Sequence, residues 1–438
     1  MRKIDKIFDK LTIDYFPMKR SVYLWRNRLI CIALSLIILL ILLVPELIFQ
    51  PSGRVIASPK FQERRGVWLT NVASAVLFVP GSVNRAIKQL SELHFNTVYP
   101  VVWNRGHTFY PSSLAQQMIG KSQEPLLNWT RGNADVLGVI VKESHQRGLQ
   151  VIPWFEYGLM IPKSSLLARK HPDWLTHSQQ GNLNTVYQDE LEANQQKKSE
   201  NLMNRWRNYA YKKQVSQLVW LNPLHPEVQQ LIKGLMLEVV MQYKVDGVQL
   251  DDHFGIPVEL GYDTLTIKLY QQEHGGKSPP KDPHNAQWMS WRSAKLTVFM
   301  ADLVKTIKMV NPSILISLSP NSHPFSYQNY LQDWKTWVRR GLIDELVLQV
   351  YRDDINSFQR ELQQSAVKFA RQKIPVTVGI LSGTLNNTVP IKQIKEQVET
   401  VRKQGFKGVS FFYWESLWSY LSPDSPYKRR QVFDEMFD

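Results

Sequence analysis

The chain has 438 residues and a formal net charge of +15, with 53 Lys and Arg residues against 38 Asp and Glu residues. Its 11% aromatic and 43% hydrophobic content exclude a disordered chain, and its length accommodates one large domain or two ordinary ones. A single cysteine, Cys31, excludes an intramolecular disulfide and a thiolate metal cluster. The basic residues are scattered and form no basic-aromatic motif, which argues against nucleic-acid binding. They indicate either an affinity for anionic envelope polymers or membrane surfaces, or ordinary solvated lysines.

The N-terminal segment has the pattern of a membrane anchor. Residues 29–49 are almost continuously apolar and would span about 31 Å as a helix, close to the thickness of one hydrocarbon core. The basic leader at 1–28 predicts that the N-terminus stays in the cytoplasm. The chain after the linker at 50–63 would then face the periplasm from the inner membrane. Cleavage as a signal peptide near Ala57 is the alternative, because the preceding residues have the spacing of a cleavage site.

From about residue 64 to residue 422, short β-rich segments alternate with amphipathic helical segments. Eight such alternations predict a single α/β domain with the (β/α)8 TIM barrel fold. The predicted transmembrane helix precedes this barrel. The predicted strands are Gly66–Thr70, Thr97–Val102, Gln150–Glu156, Gly247–Asp251, Ile314–Ser319, Leu346–Tyr351, Val376–Leu381 and Gly408–Trp414. The predicted helices include Val83–Leu93, Asp135–Arg147, Pro226–Tyr243, Ala286–Val310 and Ile391–Gln404.

The largest interruption of this pattern is a polar segment at about 162–217, rich in Gln, Asn and Lys. Because it connects a strand to the helix that follows, we expect it on the C-terminal face of the barrel. There it either covers the cleft or forms plain surface. Its aromatic residues Trp174, Trp206 and Tyr211 either pack or bind a sugar. Residues 423–438 are predicted to form a C-terminal tail.

Acidic, amide and aromatic side chains follow most of the predicted strands. The C-terminal ends of barrel strands share one face, so we expect these side chains around a single cleft. Sugar rings present flat C–H faces that stack on aromatic rings, and their hydroxyls need amide and carboxylate partners, so the cleft is predicted to bind a polysaccharide. The candidate substrate-binding residues are Trp68, Asn71, Tyr99, Trp103, Asn104, Trp154, Glu156, His253, Asn321, Tyr351, Asp353 and Trp414.

The segment from Asp246 to His253 has the pattern of a buried strand that ends in two acids and an imidazole. Two adjacent buried carboxylates are costly unless solvent, partners or substrate stabilise them, so this strand is predicted to deliver Asp251 and Asp252 to a cleft. Glu415 at the end of the last strand is a third catalytic candidate. A metal site at 251–253 is disfavoured, because three consecutive residues rarely face one ion. No metal or organic cofactor is expected.

Several motifs occur in a characteristic order. They are Arg65-Gly66-Val67-Trp68-Leu69-Thr70, Phe95-Asn96-Thr97-Val98-Tyr99, Trp220-Leu221-Asn222-Pro223 with His225-Pro226-Glu227-Val228, Asp246-Gly247-Val248-Gln249-Leu250-Asp251-Asp252, and Gln349-Val350-Tyr351-Arg352. Together they resemble a bacterial glycosyl-hydrolase-like family related to family ten, over about residues 64–421. The resemblance implies an exported (β/α)8 barrel that hydrolyses envelope glycans, including peptidoglycan strands without stem peptides.

The fourth-strand pattern is also similar to the Asp-Gly-x-x-x-Asp motif of the α-amylase superfamily. The last Asp of that motif is the nucleophile of the superfamily, and it maps onto Asp251. The glutamate that the superfamily carries on its fifth strand has no counterpart in residues 317–321. This similarity therefore implies a role for Asp251 and assigns no acid/base.

These observations predict a periplasm-facing glycoside hydrolase of an N-acetylated envelope glycan. Asp251 is expected to be the nucleophile or electrostatic stabiliser, and Glu415 is the first candidate acid/base, ahead of Asp252 and Asp353. In a variant of this mechanism the substrate's acetamido group attacks, while Asp251 orients it and Asp252 protonates the leaving oxygen. A catalytically silent glycan-binding barrel and a hydrolase of another exported or storage polysaccharide are the alternatives.

Overall fold

The computed structural model describes residues 63–132, 134–183, 218–384 and 387–438. Over these residues eight parallel strands close into a barrel, because the first strand pairs with both the second and the eighth. The predicted (β/α)8 fold is thereby confirmed. The predicted leader, the anchor at 29–49, Ala57 and the aromatic residues Trp206 and Tyr211 lie outside the described residues. No helix within the described ranges has the length and apolarity to span a bilayer.

All eight predicted strands are present in the barrel. Strand β3 is interrupted at Ile152 and Pro153, and its pairing with β2 shifts register between Val101 and Trp103. Every residue of β2 and of β4 is buried, as expected for parallel strands covered on both sides. The strands are β1 (Arg64–Leu69), β2 (Thr97–Asn104), β3 (Gln150–Val151 and Trp154–Phe155), β4 (Gly247–Asp251), β5 (Leu315–Ser319), β6 (Glu345–Gln349), β7 (Val376–Leu381) and β8 (Gly408–Phe412).

Helices fill the connections between the strands, and the five predicted helices lie where the sequence places them. Side-chain caps fix several of their starts, for instance Asp135, which accepts a hydrogen bond from the Gly138 backbone N–H at 3.0 Å. The helices are Ser82–Glu92, Ser113–Ile119, Pro125–Arg131, Val136–His145, Leu166–Lys170, Pro226–Gln242, Thr264–Glu273, Ala286–Val310, His323–Tyr330, Trp334–Arg339, Ile355–Leu362, Ser365–Arg371, Ile391–Lys403, Trp414–Leu417 and Pro426–Phe437, with a 3-10 turn at Pro172–Trp174.

The polar connection after β3 leaves and rejoins the barrel through a two-stranded antiparallel ribbon. Its strands are Met160–Pro162 and Leu218–Trp220. Trp174 lies beside this ribbon with none of its surface exposed, and its indole Nε1 donates to Glu227 Oε2 at 2.8 Å. Of the two roles predicted for Trp174, the structure therefore supports packing.

The last helix, Pro426–Phe437, lies against the barrel, although residues 423–438 were predicted to form a tail outside it. The rings of Phe433 and Phe437 pack on Phe95 and Phe411, with centroid distances between 5.2 and 6.2 Å. This C-terminal segment is therefore part of the layer that covers β1, β2 and β8.

Arg429 on that helix is fully buried and joins the connection after β7 to the end of the short helix Trp414–Leu417. Its guanidinium donates to the backbone carbonyls of Leu417 at 2.6 Å, Val389 at 2.8 Å and Ser382 at 3.1 Å. Burial lowers the pKa of Arg429 to about 10, against the opposing charge of Asp424, so the side chain stays protonated at neutral pH. The buried cation thus satisfies carbonyls that would otherwise lack donors.

Candidate active site

Asp251 ends β4 and is 3% exposed, so its carboxyl group depends on protein donors. Its Oδ1 accepts hydrogen bonds from the Asp252 backbone N–H at 2.8 Å and from Gln349 Nε2 at 3.2 Å. Its Oδ2 lies 3.3 Å from the Tyr157 backbone nitrogen and 3.3 Å from His253 Nδ1. Both oxygens are therefore occupied by protein groups.

Asp252 is closer to the surface and pairs with the imidazole that follows it. The Nδ1 atom of His253 lies 2.8 Å from Asp252 Oδ1, and Asn321 Nδ2 donates to Asp252 Oδ2 at 2.6 Å. The side chain of Asp252 is 13% exposed against 4% for Asp251. Of the two adjacent acids, Asp252 is therefore the one presented toward the cleft.

The pKa values of Asp251, Asp252 and His253 are shifted in different ways. Burial and the negative charge of Asp252 raise the pKa of Asp251 to about 8. Burial also acts to raise the pKa of Asp252, but the charge and hydrogen bond of His253 outweigh it and hold that pKa below its ordinary value. Burial opposes protonation of His253, but Asp252 and Asp251 bring its pKa well above the usual range. Near neutral pH the two acids therefore share one negative charge, which rests on Asp252 beside a protonated His253.

The turn after β4 is held in place by Gln332. The fully buried Gln332 side chain donates through Nε2 to the backbone carbonyls of Asp251 and Phe254, at 3.0 Å each. Tyr157 on the facing loop has φ of 57°, an uncommon left-handed conformation for a side chain of its size. This backbone conformation accompanies the hydrogen bond from the Tyr157 N–H to Asp251. The turns after β3 and after β4 are therefore both constrained, and they hold the acids at these two strand ends in place.

Aromatic rings surround the imidazole of His253. Ring centroids of Tyr157, Trp220 and Tyr330 lie 5.0, 5.9 and 6.0 Å from the His253 centroid. Trp220 and Tyr330 also stack on each other at 5.7 Å. The rings exclude water from one side of the acid pair, which strengthens its electrostatic interactions.

Glu156 follows β3 and forms a second carboxyl position. Its Oε2 accepts hydrogen bonds from Thr70 Oγ1 at 2.9 Å and from Asn104 Nδ2 at 2.8 Å. The same Asn104 amide donates to Asn71 Oδ1 at 2.7 Å. Burial raises the pKa of Glu156 to about 7, although these two hydrogen bonds favour its ionised form. Residues from the ends of β1, β2 and β3 thus hold one carboxyl group.

Tyr351 shows that the two carboxyl positions belong to one site. Its pKa is raised well above the ordinary value, first by burial and then by the negative charges of Asp251, Asp252 and Glu156. The Tyr351 ring stacks on Phe412 at 5.7 Å. The structure therefore brings together eight of the predicted site residues at the mouth formed by β1 to β6, namely Asn71, Asn104, Glu156, Asp251, Asp252, His253, Asn321 and Tyr351.

Glu415 lies at a different part of the C-terminal face of the barrel, after β8. Its Oε1 accepts hydrogen bonds from Ser74 Oγ and from the backbone N–H groups of Ala75 at 3.1 Å and Val76 at 3.2 Å. Its Oε2 is buried and has no hydrogen-bond partner among the residues described. Burial raises the pKa of Glu415 to about 7, opposed by the bonds from the β1 loop. The carboxyl group predicted as acid/base therefore fastens the loop after β1 to the end of β8.

Glu415→Gln is expected to change how stability depends on pH. Because the carboxyl pKa is raised from 4.5 to about 7 in the folded protein, the wild type binds this proton more tightly than its unfolded chain does between those pH values. The contribution of Glu415 to wild-type stability therefore falls by about 3 kcal/mol as pH rises through that window, and the variant lacks this loss. Urea unfolding of both proteins from pH 4.5 to 8 measures the difference, and a difference that stays flat would contradict the raised pKa.

Four of the predicted sugar-stacking residues instead fill the barrel interior. The Trp68 indole donates to Gln249 Oε1 at 2.8 Å, and the Trp103 indole donates to the Gly158 carbonyl at 2.8 Å, so both polar atoms are satisfied inside. Tyr99 stacks on Trp68 at 5.1 Å. Residues that face inward below the mouth pack against one another and do not reach a ligand. The four are Trp68, Tyr99, Trp103 and Trp154, all at most 3% exposed.

Two further predicted residues lie apart from the acid cluster. Asp353 is exposed after β6, accepts a long hydrogen bond from Asn387 at 3.5 Å, and lines a shallow depression with Lys392 and Gln393. Trp414 is partly buried next to Glu415, and its indole N–H has no partner within the described ranges. Neither residue hydrogen-bonds to an acid of the cluster in that part of the chain.

Several residues of the site were not selected from the sequence. Thr70 and Trp220 stand inside motifs of the family resemblance, and Tyr157 directly follows the third predicted strand, so their positions were available as a signal. Gln349 ends β6 and was recognised only as part of a motif. Gln332 lies between two short helices, far in sequence from any strand end, and no sequence pattern marks it.

Two side-chain groups have ligand atoms close enough to share a cation. In Asp251, Asp252 and His253 these atoms lie within 4.8 Å of one another, but the imidazole nitrogen is already hydrogen-bonded to both acids. In the exposed group formed by Asp173, His225 and Glu227, His225 Nδ1 accepts the Glu227 backbone N–H at 3.3 Å as a helix cap. A cation at either position would have to replace these hydrogen bonds.

A closed parallel barrel with acids of different proton affinity at its C-terminal mouth is an arrangement that glycoside hydrolysis can use. The chain belongs to the glycosyl hydrolase-like 10 family, whose model matches residues 63–194 and 187–400. This match confirms the family resemblance seen in the motifs. It also confirms the predicted class, a glycoside hydrolase enzyme, at the level of the family. The family implies a polysaccharide as the type of substrate.

Known relatives agree with this assignment. Glycosyl hydrolase DigH of Escherichia coli strain K12 is 27% identical over 326 residues, which cover 66% of this chain and 66% of the relative. The alignment thus spans slightly less than two thirds of the relative's length. The protein of the same name from Shigella flexneri matches to the same extent.

Solved structures show the same fold at low sequence identity. The glycoside hydrolase domain of PgaB (BpsB) from Bordetella bronchiseptica superposes with a TM-score of 0.59 at 14% identity, covering 85% of this chain and 98% of that domain. The catalytic domain of β-amylase from Paenibacillus polymyxa superposes with a TM-score of 0.53 at 9% identity, covering 87% of this chain and 100% of that domain. At these identities the comparison concerns the barrel alone.

Proposed function

We propose that this protein hydrolyses glycosidic bonds of an N-acetylated cell-envelope glycan, with peptidoglycan strands that lack stem peptides as the preferred substrate. The observation that carries the proposal is the Asp251-Asp252-His253 cluster, in which one acid keeps a proton and its neighbour stays ionised. Glycoside hydrolysis needs both carboxyl states beside the bond that breaks. The family and the printed name of the Escherichia coli relative support the same reaction.

The two adjacent acids act on the same side of the sugar. One oxygen of each lies within 4.8 Å of the other, and they follow one another on a single strand end, so they do not flank a scissile bond from opposite sides. This arrangement favours participation of the substrate's acetamido group. The ionised Asp252 accepts the acetamido N–H, while Asp251 and His253 set the charge of Asp252. Asp252 thus takes the orienting role that the sequence suggested for Asp251, and neither of the two adjacent acids is the proton donor.

The proposed reaction proceeds in two balanced steps. The acetamido carbonyl oxygen forms a bond to C1 as the C1–O bond to the leaving sugar breaks, and the leaving oxygen takes a proton from a protein acid. Water then attacks C1, the bond to the acetamido oxygen breaks, and the same acid recovers a proton from the water. The products are two shorter glycans, and the acetamido group is restored.

We further propose that the catalytic barrel works in the periplasm. The support is the sequence pattern alone, an apolar segment at 29–49 behind a basic leader. In this proposal the segment holds the protein in the inner membrane through contact with the lipid bilayer, or the barrel is released after cleavage near Ala57. Fractionation of cells separates the two forms, and recovery of the protein with the cytoplasm would contradict both.

Digestion of defined glycan strands tests the proposed activity. Peptide-free strands with intact acetamido groups should be shortened, whereas matched de-N-acetylated strands should be cut at least about a hundredfold more slowly because the internal nucleophile is missing. Mass analysis of the fragments measures both rates. Equal rates on the two polymers would contradict acetamido participation. A protein that retains the glycan in a pull-down without shortening it would contradict hydrolysis and support a binding role.

A further inference from the structure

The proposed reaction needs a proton donor, and the described acids differ in whether an oxygen is available for that role. Asp252 is the ionised partner of His253, so it holds no proton to give. Asp251 is 3% exposed, and both of its oxygens are engaged by protein donors. Glu415 Oε1 accepts hydrogen bonds from the loop after β1, and its Oε2 is buried. None of these three presents an open carboxyl oxygen to a leaving group.

Glu156 has the arrangement that the other acids lack. Thr70 and Asn104 both bind its Oε2, which fixes the carboxyl plane from one side. No donor in the described residues binds its Oε1, and the side chain keeps 5% of its surface exposed. A carboxyl group held by one oxygen and open at the other is suited to exchange a proton with a bound substrate.

The strand register places Glu156 level with the acid pair. Trp154 of β3 pairs with Gln249 of β4, and Phe155 pairs with Leu250. Side chains alternate along both strands, so the next inward-facing residues are Glu156 and Asp251. Burial and the charges of Asp251, Asp252 and Glu156 raise the pKa of Tyr351, in agreement with the position that the register gives these carboxyl groups.

We infer that Glu156, rather than Glu415, is the catalytic acid/base of the proposed hydrolase, and this inference rests on the proposed function. Its Oε1 donates a proton to the glycosidic oxygen as the bond to C1 breaks. The resulting carboxylate then takes a proton from the water that attacks C1. Each turnover thus returns Glu156 to its starting state, and no co-reactant other than water is consumed.

Leaving-group dependence tests this role directly. A proton donor matters for a sugar leaving group and matters little for an activated aryl group that departs without protonation. Glu156→Gln keeps a carbonyl oxygen for Thr70 and Asn104. The variant should cut peptide-free glycan about a thousandfold more slowly than the wild type. For release of 2,4-dinitrophenol from the aryl glycoside of the same N-acetylated sugar, kcat/KM of the variant should stay within about tenfold of the wild-type value, because kcat/KM does not include the later attack of water in which Glu156 acts as base.

Glu415→Gln is the matched control. Glu415 supports a loop, so its replacement should lower both rates by the same factor. Equal losses of Glu156→Gln on the two substrates, or selective loss on glycan in Glu415→Gln, would overturn the inference. Absence of wild-type cleavage of either substrate would instead overturn the proposed function, so the two failures are distinguishable.

The pH dependence of kcat/KM on glycan is an independent test that does not require the aryl substrate. Wild-type kcat/KM should fall above pH about 7, where Glu156 loses its proton. Thr70→Val removes a hydrogen bond that favours the ionised form, so the falling limb should move to higher pH by about half a unit to one unit. A limb that does not move in Thr70→Val would contradict the assignment, because a purely structural change leaves the limb in place.

Discussion

Asp252→Asn is expected to lower turnover of peptide-free glycan by about a thousandfold or more. Near neutral pH Asp252 carries the negative charge of the acid pair, and this charge orients the acetamido group and stabilises positive charge that develops at C1. The amide keeps the shape of the side chain and an acceptor for Asn321, so binding is retained. We therefore expect kcat to fall far more than KM, which steady-state kinetics on fully acetylated strands measures.

Asp251→Asn is the paired variant, and it separates the two possible assignments. Asp251 is mostly protonated at neutral pH in the structure, so an uncharged replacement should cost only about ten- to a hundredfold through the altered charge of Asp252 and His253. The opposite order, with near wild-type turnover in Asp252→Asn and the larger loss in Asp251→Asn, would restore Asp251 as the nucleophile or stabiliser that the sequence suggested.

Arg429→Met is expected to lower the free energy of unfolding by about 4 kcal/mol. The long apolar side chain of methionine fills much of the same volume, but it donates no hydrogen bonds to the carbonyls of Leu417, Val389 and Ser382. Each buried carbonyl left without a donor costs about 1 to 3 kcal/mol, and partial relaxation of the loops recovers some of that cost. Urea unfolding followed by tryptophan fluorescence measures the change.

Lys428→Met on the same helix provides the control for the loss of charge. The Lys428 side chain is 61% exposed and pairs only with Asp424 four residues earlier, so its replacement should change stability by about 0.5 kcal/mol or less. Similar losses in the two variants would show that the buried guanidinium does not stabilise the loops specifically.

The order and position of the barrel elements could be predicted from local sequence. Short segments rich in Val, Ile, Leu and Phe mark the strands, and the observed limits of β4 and β7 agree with the predicted ones residue for residue. The abrupt change from apolar residues to two acids at Asp251 and Asp252 also located the centre of the site. Both signals are local, because a buried parallel strand is mostly apolar and carries adjacent charges only where it reaches the mouth.

How deep a side chain lies inside the barrel could not be predicted in the same way. The alternation of a strand shows that Trp68 and Tyr99 face inward, but their height along the barrel axis depends on how all eight strands are staggered. Glu415 illustrates the same limit, because its hydrogen bonds reach residues about 340 positions away in sequence. Such partners follow from closure of the barrel, and no short pattern contains that information.

The ribbon formed by Met160–Pro162 and Leu218–Trp220 has a practical consequence for engineering. It brings the departure and return points of the long connection together by backbone hydrogen bonds, and the buried Trp174 packs beside it. The entropy of closing a loop grows only slowly with its length, so donor segments of different size can be grafted here provided that Trp174 and its bond to Glu227 are kept. This junction is therefore a natural site for recombination among related enzymes and for building libraries with altered polymer preference.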